Sequence, residues 1–322
     1  MRDIRFVAPG TVYEITDRTN AGEFLFEPSA DLADIIKGCI GRALARHPVQ
    51  LIAFVFLSNH YHMLISADDA RQLAEFLGFV NGNIAREVNR YHDRTGHVWG
   101  RRFRAIPVSD EETAQVGRLR YLLAHGVKEG IVRRVRDWTG ASSARALLGE
   151  DELAGTWYDR AAAYAAGRRK TNAHEPGAFA MRYAIELAPL PCWQHLSADQ
   201  YRARVAALVA DIDSDGAEAT RRDATHDLAH TEAARLQVDG DAPPDRSDRH
   251  GDAPERPKHS KRSPAPRAHA ASKEVREQMC EALRELRQAY AEASRRFRSG
   301  EYDVAFPAGT FKPGGGFVAV AA

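Results

Sequence analysis

The stretch Leu51-Ile52-Ala53-Phe54-Val55-Phe56-Leu57-Ser58-Asn59-His60-Tyr61-His62-Met63-Leu64-Ile65 constrains the fold more than any other part of the chain. Unbroken aliphatic and aromatic residues on either side of a polar break at Ser58-Asn59 predict two buried strands rather than a helix. In the second strand successive side chains alternate faces, so His60 and His62 point the same way. Their side chains start about 7 Å apart, near enough to grip one metal ion. Tyr61 points the other way with Met63 and Ile65, toward a core.

The rest of the N-terminal half arranges itself around this pair. Thr11–Thr19 alternates in character and reads as a first strand, and Leu32, Ile35, Ile36, Cys39, Ile40 and Leu44 share one face of a helix over Leu32–Arg46. Pro48 stops that helix, and the central strands span Val49–Leu57 and His60–Ser66. A second helix covers Ala70–Tyr91, and Val98–Val108 is extended. Ser109 followed by Glu112 predicts a capping box opening a third helix, which should run to His125 with Gly126 as its stop. The order strand, helix, strand, strand, helix, strand, helix predicts an α+β fold, the ferredoxin-like or split βαβ arrangement. That plan puts helices on one face of an antiparallel sheet and leaves the other face accessible.

Beyond residue 150 the signals weaken. Leu153–Arg168, Ala198–Ile212 and Ala217–Gln237 read as helices, the first two Ala-rich. Asp239–Ser272, rich in Pro, Asp, Arg and His, reads as a disordered linker. Lys273–Phe297 returns to a helical pattern, and a Gly/Pro-punctuated tail follows. The three cysteines, Cys39, Cys192 and Cys280, have no paired spacing, so a reducing cytoplasm is the expected compartment. No 18-residue apolar run occurs, so no membrane span is expected.

On the third helix Tyr121 and His125 are one turn apart on one face, with Arg118 a turn earlier. Leu119, Leu122 and Leu123 turn elsewhere and can anchor the helix to the sheet. If the Tyr121 face meets the strand histidines, three imidazoles surround one divalent cation beside a phenol. That set suits phosphoryl transfer to tyrosine. A phenol with a reference pKa of about 10 is a poor nucleophile at neutral pH unless its charged form is stabilised. A metal can polarise the scissile phosphate, and Arg118 can bind the phosphate or the phenolate. From Arg86 to Arg136 twelve Lys or Arg face six Asp or Glu, an excess consistent with a polyanionic partner.

Several segments then match a known family in order. Leu57-Ser-Asn-His-Tyr-His-Met-Leu-Ile65 resembles the His-hydrophobic-His signature of single-tyrosine HUH transposases, within the insertion-sequence-200-like family, and most of all the REP-associated tyrosine transposases. Trp99-Gly-Arg-Arg-Phe103 is similar to the family's Trp-Gln-x-Arg-Phe. Arg120-Tyr-Leu-Leu-Ala-His-Gly-Val-Lys-Glu-Gly-Ile-Val132 resembles its Tyr-Ile-x-x-Asn-Pro-Val-Lys-x-Gly-Leu-Val, and Asp137-Trp-Thr-Gly-Ala-Ser-Ser143 its Asp-Trp-Pro-x-Ser-Ser. The resemblance covers residues 8 to 148.

By this resemblance His60 and His62 are metal ligands and Tyr121 is the nucleophile of a strand transferase that forms a 5′-phosphotyrosine, with Tyr91 as the next candidate. The family commonly carries Asn or Gln four residues after the tyrosine; His125 stands there and takes the third ligand position, and Gly126 replaces the following proline. The cofactor implied is Mg²⁺ or Mn²⁺, and an all-imidazole set adds Zn²⁺ as a candidate. The implied partner is single-stranded DNA with a hairpin or palindromic repeat, bound by a monomer or homodimer. Arg101, Arg102, Arg104, Arg118, Arg133 and Arg134, with Arg136, suit backbone contacts, and Trp99 and Phe103 are stacking candidates. The expected division is a transposase-like domain over 1–148, a helical extension over 149–238, the linker over 239–272, and a helix with irregular tail over 273–322. The His-for-Asn departure and the long extension keep a second class open: a catalytically inactive, domesticated sequence-specific DNA-binding protein.

Overall fold

A computed structural model describes residues 6–168, 177–223 and 266–319. Its centre is a four-stranded antiparallel sheet in the order β2-β3-β1-β4, formed by β1 (Val12–Arg18), β2 (Gln50–Leu57), β3 (His60–Ser66) and β4 (Arg104–Val108). Helices α1 (Ala30–Arg46) and α2 (Ala70–Tyr91) make the two crossovers, which gives the ferredoxin-like arrangement that the element order predicts. Side-chain caps start both helices: Ser29 accepts from the Leu32 amide, and Asp69 accepts from those of Arg71 and Gln72.

Both faces of the sheet are buried, which corrects the expectation of an accessible one. Tyr13, Ile15, Phe54, Phe56, Tyr61, Met63 and Ile65 pack on α1 and α2. On the opposite face Val12, Val55, Leu57, Leu64 and Val108 meet Leu119, Leu122 and Leu123 of α3 (Glu112–Leu123). That second layer is completed by Trp138 and by Val205, Val209 and Ile212 of a long helix from the C-terminal half. Two buried faces explain why β2 reads as an unbroken apolar run rather than an alternation. A register shift between Leu51 and Ala53 slips the alternation by one, so Leu51 faces the first layer while Ile52 and Ala53 both face the second.

Beyond the sheet, α4 (His125–Lys128) and α5 (Ala144–Leu147) are single turns. β5 (Ala154–Tyr158) and β6 (Ala180–Ala184) form a hairpin, with α6 (Arg160–Arg168) following β5. The long helices are α7 (Ala198–Asp223) and α8 (Lys273–Arg298). The helix expected over Leu153–Arg168 is therefore a strand followed by a shorter helix. Its small residues have a packing cause: β5 lies directly on α1, and a methyl group on Gly38 would overlap the Thr156 carbonyl. Gly38→Ala should cost about 3 kcal/mol, because neither backbone can move without parting helix from hairpin. Urea denaturation of the variant against the parent protein measures this; an unchanged midpoint would show that the contact yields.

The helix over Ala217–Gln237 begins as the end of α7 and otherwise falls outside the described residues, as does the linker through residue 265. From Pro266 onward the chain is ordered, contrary to a linker reaching Ser272. It lies along the outer edge of β4, where the His269 amide donates to the Pro107 carbonyl (2.8 Å) and the Ser109 amide to the His269 carbonyl (2.8 Å). At the sheet's other edge, the Phe56 amide donates to the Ala141 carbonyl (2.8 Å) and the Ser143 amide to that of Phe54 (3.0 Å). Both edges are thus paired.

Candidate metal and nucleophile site

The expected capping box does not form. Ser109 donates to the Glu111 carboxylate instead, and α3 starts at Glu112 without a side-chain cap. Gly126 is not a stop either: Ala124 keeps helical backbone angles, so α3 passes into α4, and the turn comes at Gly130 with φ 68°. Gly126 is buried against Val132 and Trp138. This continuity carries His125 into the second layer, where it is 3% exposed, directly over β3.

The three histidines meet there. His60 Nε2 lies 2.9 Å from His125 Nε2, and one ligand nitrogen from each of His60, His62 and His125 falls within 4.8 Å of the others. The remaining nitrogens of the strand pair are held by acceptors. His60 Nδ1 donates to Asn59 Oδ1 (2.7 Å), and the Asn59 amide donates onward to the Gly22 carbonyl (3.1 Å). His62 Nδ1 donates to Glu14 Oε1 (2.8 Å). These partners fix the proton on Nδ1 and leave the Nε2 lone pairs of His60 and His62 for a metal. The His60–His125 separation is that of a hydrogen bond, and the three ligand nitrogens lie close enough together to converge on one ion. The donor set therefore fits a divalent cation, and three imidazoles favour Mn²⁺ or Zn²⁺ over Mg²⁺. Among the described residues, buried His125 Nδ1 has no hydrogen-bond partner, so this third side chain lacks the orienting acceptor its neighbours have.

Burial, reinforced by the neighbouring imidazoles, lowers the pKa of His60 to about 2 and of His125 to about 3. Both are neutral at physiological pH, as ligation requires. Unfolding lets them take up protons below the ordinary value near 6.5, so the unfolded chain binds more protons than the folded one. Stability of the metal-free protein should then fall as pH drops through that window, by up to about 1.4 kcal/mol per unit for each histidine. Denaturant titrations between about pH 7 and about pH 4 measure the slope. A flat profile would count against the buried neutral pair.

Tyr121 stands beside this cluster, half-buried, its ring centroid 5.5 Å from that of His62 and 5.1 Å from that of His125. Arg118 Cζ and Lys128 Nζ lie over its ring at 4.7 and 5.0 Å. Burial and the Glu14 charge raise the Tyr121 pKa, opposed by Arg118. Tyr91 is on α2, packed against the first core on the other side of the sheet.

Of the arginines singled out, Arg118 joins the cluster, its Nη1 3.6 Å from Glu14 Oε2. Arg104 pairs in register with Thr16, itself opposite His62, and donates to the Pro266 carbonyl (3.1 Å). Arg101 and Arg102 are exposed before β4, and Arg133, Arg134 and Arg136 are exposed after α4, the last two facing Asp137 and Glu150. Trp99 is a packing residue against Phe26 and Tyr61, its indole donating to the Asn81 carbonyl, and Phe103 packs on the same core.

Sequence reading missed Glu14 and Asn59. Glu14 had a signal, a carboxylate between the apolar residues Val12, Tyr13 and Ile15, on the face that β3 gives to its histidines. The net effect of its contacts with His269 and His62 is to hold this carboxyl well below the usual range, although burial alone would raise it.

Residues 23–121, ending on Tyr121 itself, match the family model described as "Transposase IS200 like". Among solved structures, a REP-associated tyrosine transposase bound to a REP hairpin is 17% identical, the match covering 46% of this chain and 86% of that one with a TM-score of 0.39. A candidate transposase from Deinococcus radiodurans R1 is 18% identical over 34% of this chain and 86% of that one, with a TM-score of 0.27. No curated protein matches significantly in sequence. Among the described residues no helix is long and apolar enough to cross a membrane.

Proposed function

We propose that the chain cleaves and rejoins single-stranded DNA through Tyr121, next to a divalent metal held by His60, His62 and His125. The observation that carries this reading is the packing of the Tyr121 ring on His62 and His125 of its own chain. That packing supports a tyrosine acting within its own chain. What the bound cation supplies is polarisation of the scissile phosphate and compensation of charge on the phenolate.

Tyr121 releases its proton to solvent, and its oxygen attacks the phosphorus. The bond from phosphorus to the 3′ oxygen breaks, and that oxygen leaves and takes up a proton. The 5′-phosphate stays on tyrosine. A 3′-hydroxyl reverses the sequence: it attacks the phosphotyrosine, loses its proton, and Tyr121 leaves as the phenol. One phosphodiester is exchanged for another, so no ATP is consumed. Arg118 and Lys128 place positive charge over the Tyr121 ring, and Arg104 lies on the edge strand of the sheet. Arg101, Arg102, Arg133 and Arg134 extend the backbone contacts. Hairpin-bearing DNA is the substrate class that the resemblance to REP-associated tyrosine transposases implies.

The test is incubation with hairpin-bearing single-stranded DNA and Mn²⁺ or Mg²⁺, followed by denaturing electrophoresis. A covalent adduct is expected. Specific hairpin binding with no cleavage in any metal would replace this reading with that of a DNA-binding protein.

A further inference from the structure

The segment after residue 265 reaches the site from the far end of the chain. Besides its two backbone hydrogen bonds to β4, it is fixed by Glu111, which accepts from the Ala271 amide (2.8 Å) and the Ser272 amide (3.2 Å). Ala268 is 2% exposed, so the segment is seated rather than laid on the surface. This seating turns the His269 side chain onto the site face, with Nε2 2.7 Å from Glu14 Oε2, close enough for an ion pair but off the line of a straight hydrogen bond. The other oxygen of the same carboxylate takes the His62 Nδ1 proton (2.8 Å). Glu14 is 4% exposed on a central strand, and its remaining charged neighbour, Arg118, is 3.6 Å away.

We propose that His269 is a positioning residue for the metal site: carried in by the C-terminal segment, it holds Glu14 in place, and Glu14 holds the His62 imidazole with Nε2 toward the cation. The proposal rests on the metal-site reading above. Its physical basis is that a buried carboxylate needs partners on both oxygens. With His269 removed, Oε2 keeps only the longer Arg118 contact, and the carboxylate is free to rotate away from His62. Acceptors behind metal-ligating histidines orient the ring and fix its tautomer, and their loss typically weakens metal affinity about 10–100-fold.

Two readouts on the full-length protein test this. One is the Mn²⁺ dissociation constant, from electron paramagnetic resonance titration. The other is the ¹⁵N imidazole spectrum of metal-free protein, which reports the His62 tautomer without metal or DNA. His269→Ala should weaken Mn²⁺ binding about 10–100-fold and mix the His62 tautomers. His269→Gln, whose amide can set an N–H where the His269 Nε2 stands, should recover most of both. A double variant with Glu14→Gln should be no worse than Glu14→Gln alone, because His269 acts through Glu14. If His269→Ala does not fold, His269→Asn replaces it, keeping the backbone pairing with an amide too short to reach Glu14. Mn²⁺ affinity within twofold of the parent in a folded His269→Ala or His269→Asn protein would overturn the proposal. His62→Ala in the same assay separates the two ideas. If it binds Mn²⁺ as the parent does, the metal-site reading fails, and the tautomer spectrum still decides whether His269 orders His62.

Discussion

Tyr121→Phe should abolish the covalent DNA adduct and lower strand cleavage by at least about 10³-fold, the scale on which loss of an essential nucleophile is felt. The substitution removes one hydroxyl and keeps the ring that packs on His62 and His125, so unfolding curves should be close to the parent's. Hairpin binding should also survive, because Arg104, Arg118 and Lys128 are untouched. Denaturing gels with labelled DNA measure the first effect, and mobility shifts the second. An undiminished adduct would remove Tyr121 from its role. Tyr91 could not inherit it, since α2 holds that residue on the opposite face of the sheet.

The second large effect belongs to the histidines. On the proposed reading His62→Ala takes away a metal ligand, and it also strips Glu14 Oε1 of its hydrogen bond within a buried setting. Metal affinity should fall by at least about 100-fold, and stability by about 1–3 kcal/mol from the unsatisfied carboxylate. His125→Asn should behave differently. It exchanges a nitrogen donor for an amide oxygen in a site where, on the proposed reading, the strand histidines still ligate, so the preference for Mn²⁺ over Mg²⁺ should narrow. Adduct yield titrated in each metal measures the shift. An unchanged metal preference would mean that His125 lies beside the cation rather than on it.

The parts of this fold that could be read in advance are those set by local rules. β3 and α2 carry clear apolar patterns between unmistakable ends, and the structure places both at the expected residues, His60–Ser66 and Ala70–Tyr91. Errors arose where distant chain decides the local conformation. The Ala-rich run of α6 drew the helical reading back over Ala154–Tyr158, a strand in which Gly155 lies against α1, a contact that its own neighbours do not disclose. Ser109 and Glu112 had the spacing of a cap, but Glu111 takes the Ser109 hydroxyl and serves the C-terminal segment instead. At the site, the His60, His62, Tyr121 and His125 set was legible because strand and helix periodicities each put their members on one side. His269 was not, for it sits in a polar, Pro-rich stretch whose composition predicts no order, and only tertiary pairing gives it a place.

The pairing of β4 with residues near 269 also bears on how the protein is made. His269 follows Val108 by 161 residues, so at about 5–20 residues per second the outer edge of β4 waits on the order of 10 s for its partner during translation. An open strand edge in that interval is a template for pairing with other nascent chains. β4 is poorly suited to that misuse. It spans only Arg104–Val108, and Pro107 removes one amide donor while leaving the carbonyl that His269 later takes. The proline thus guards the unfinished sheet without obstructing its completion.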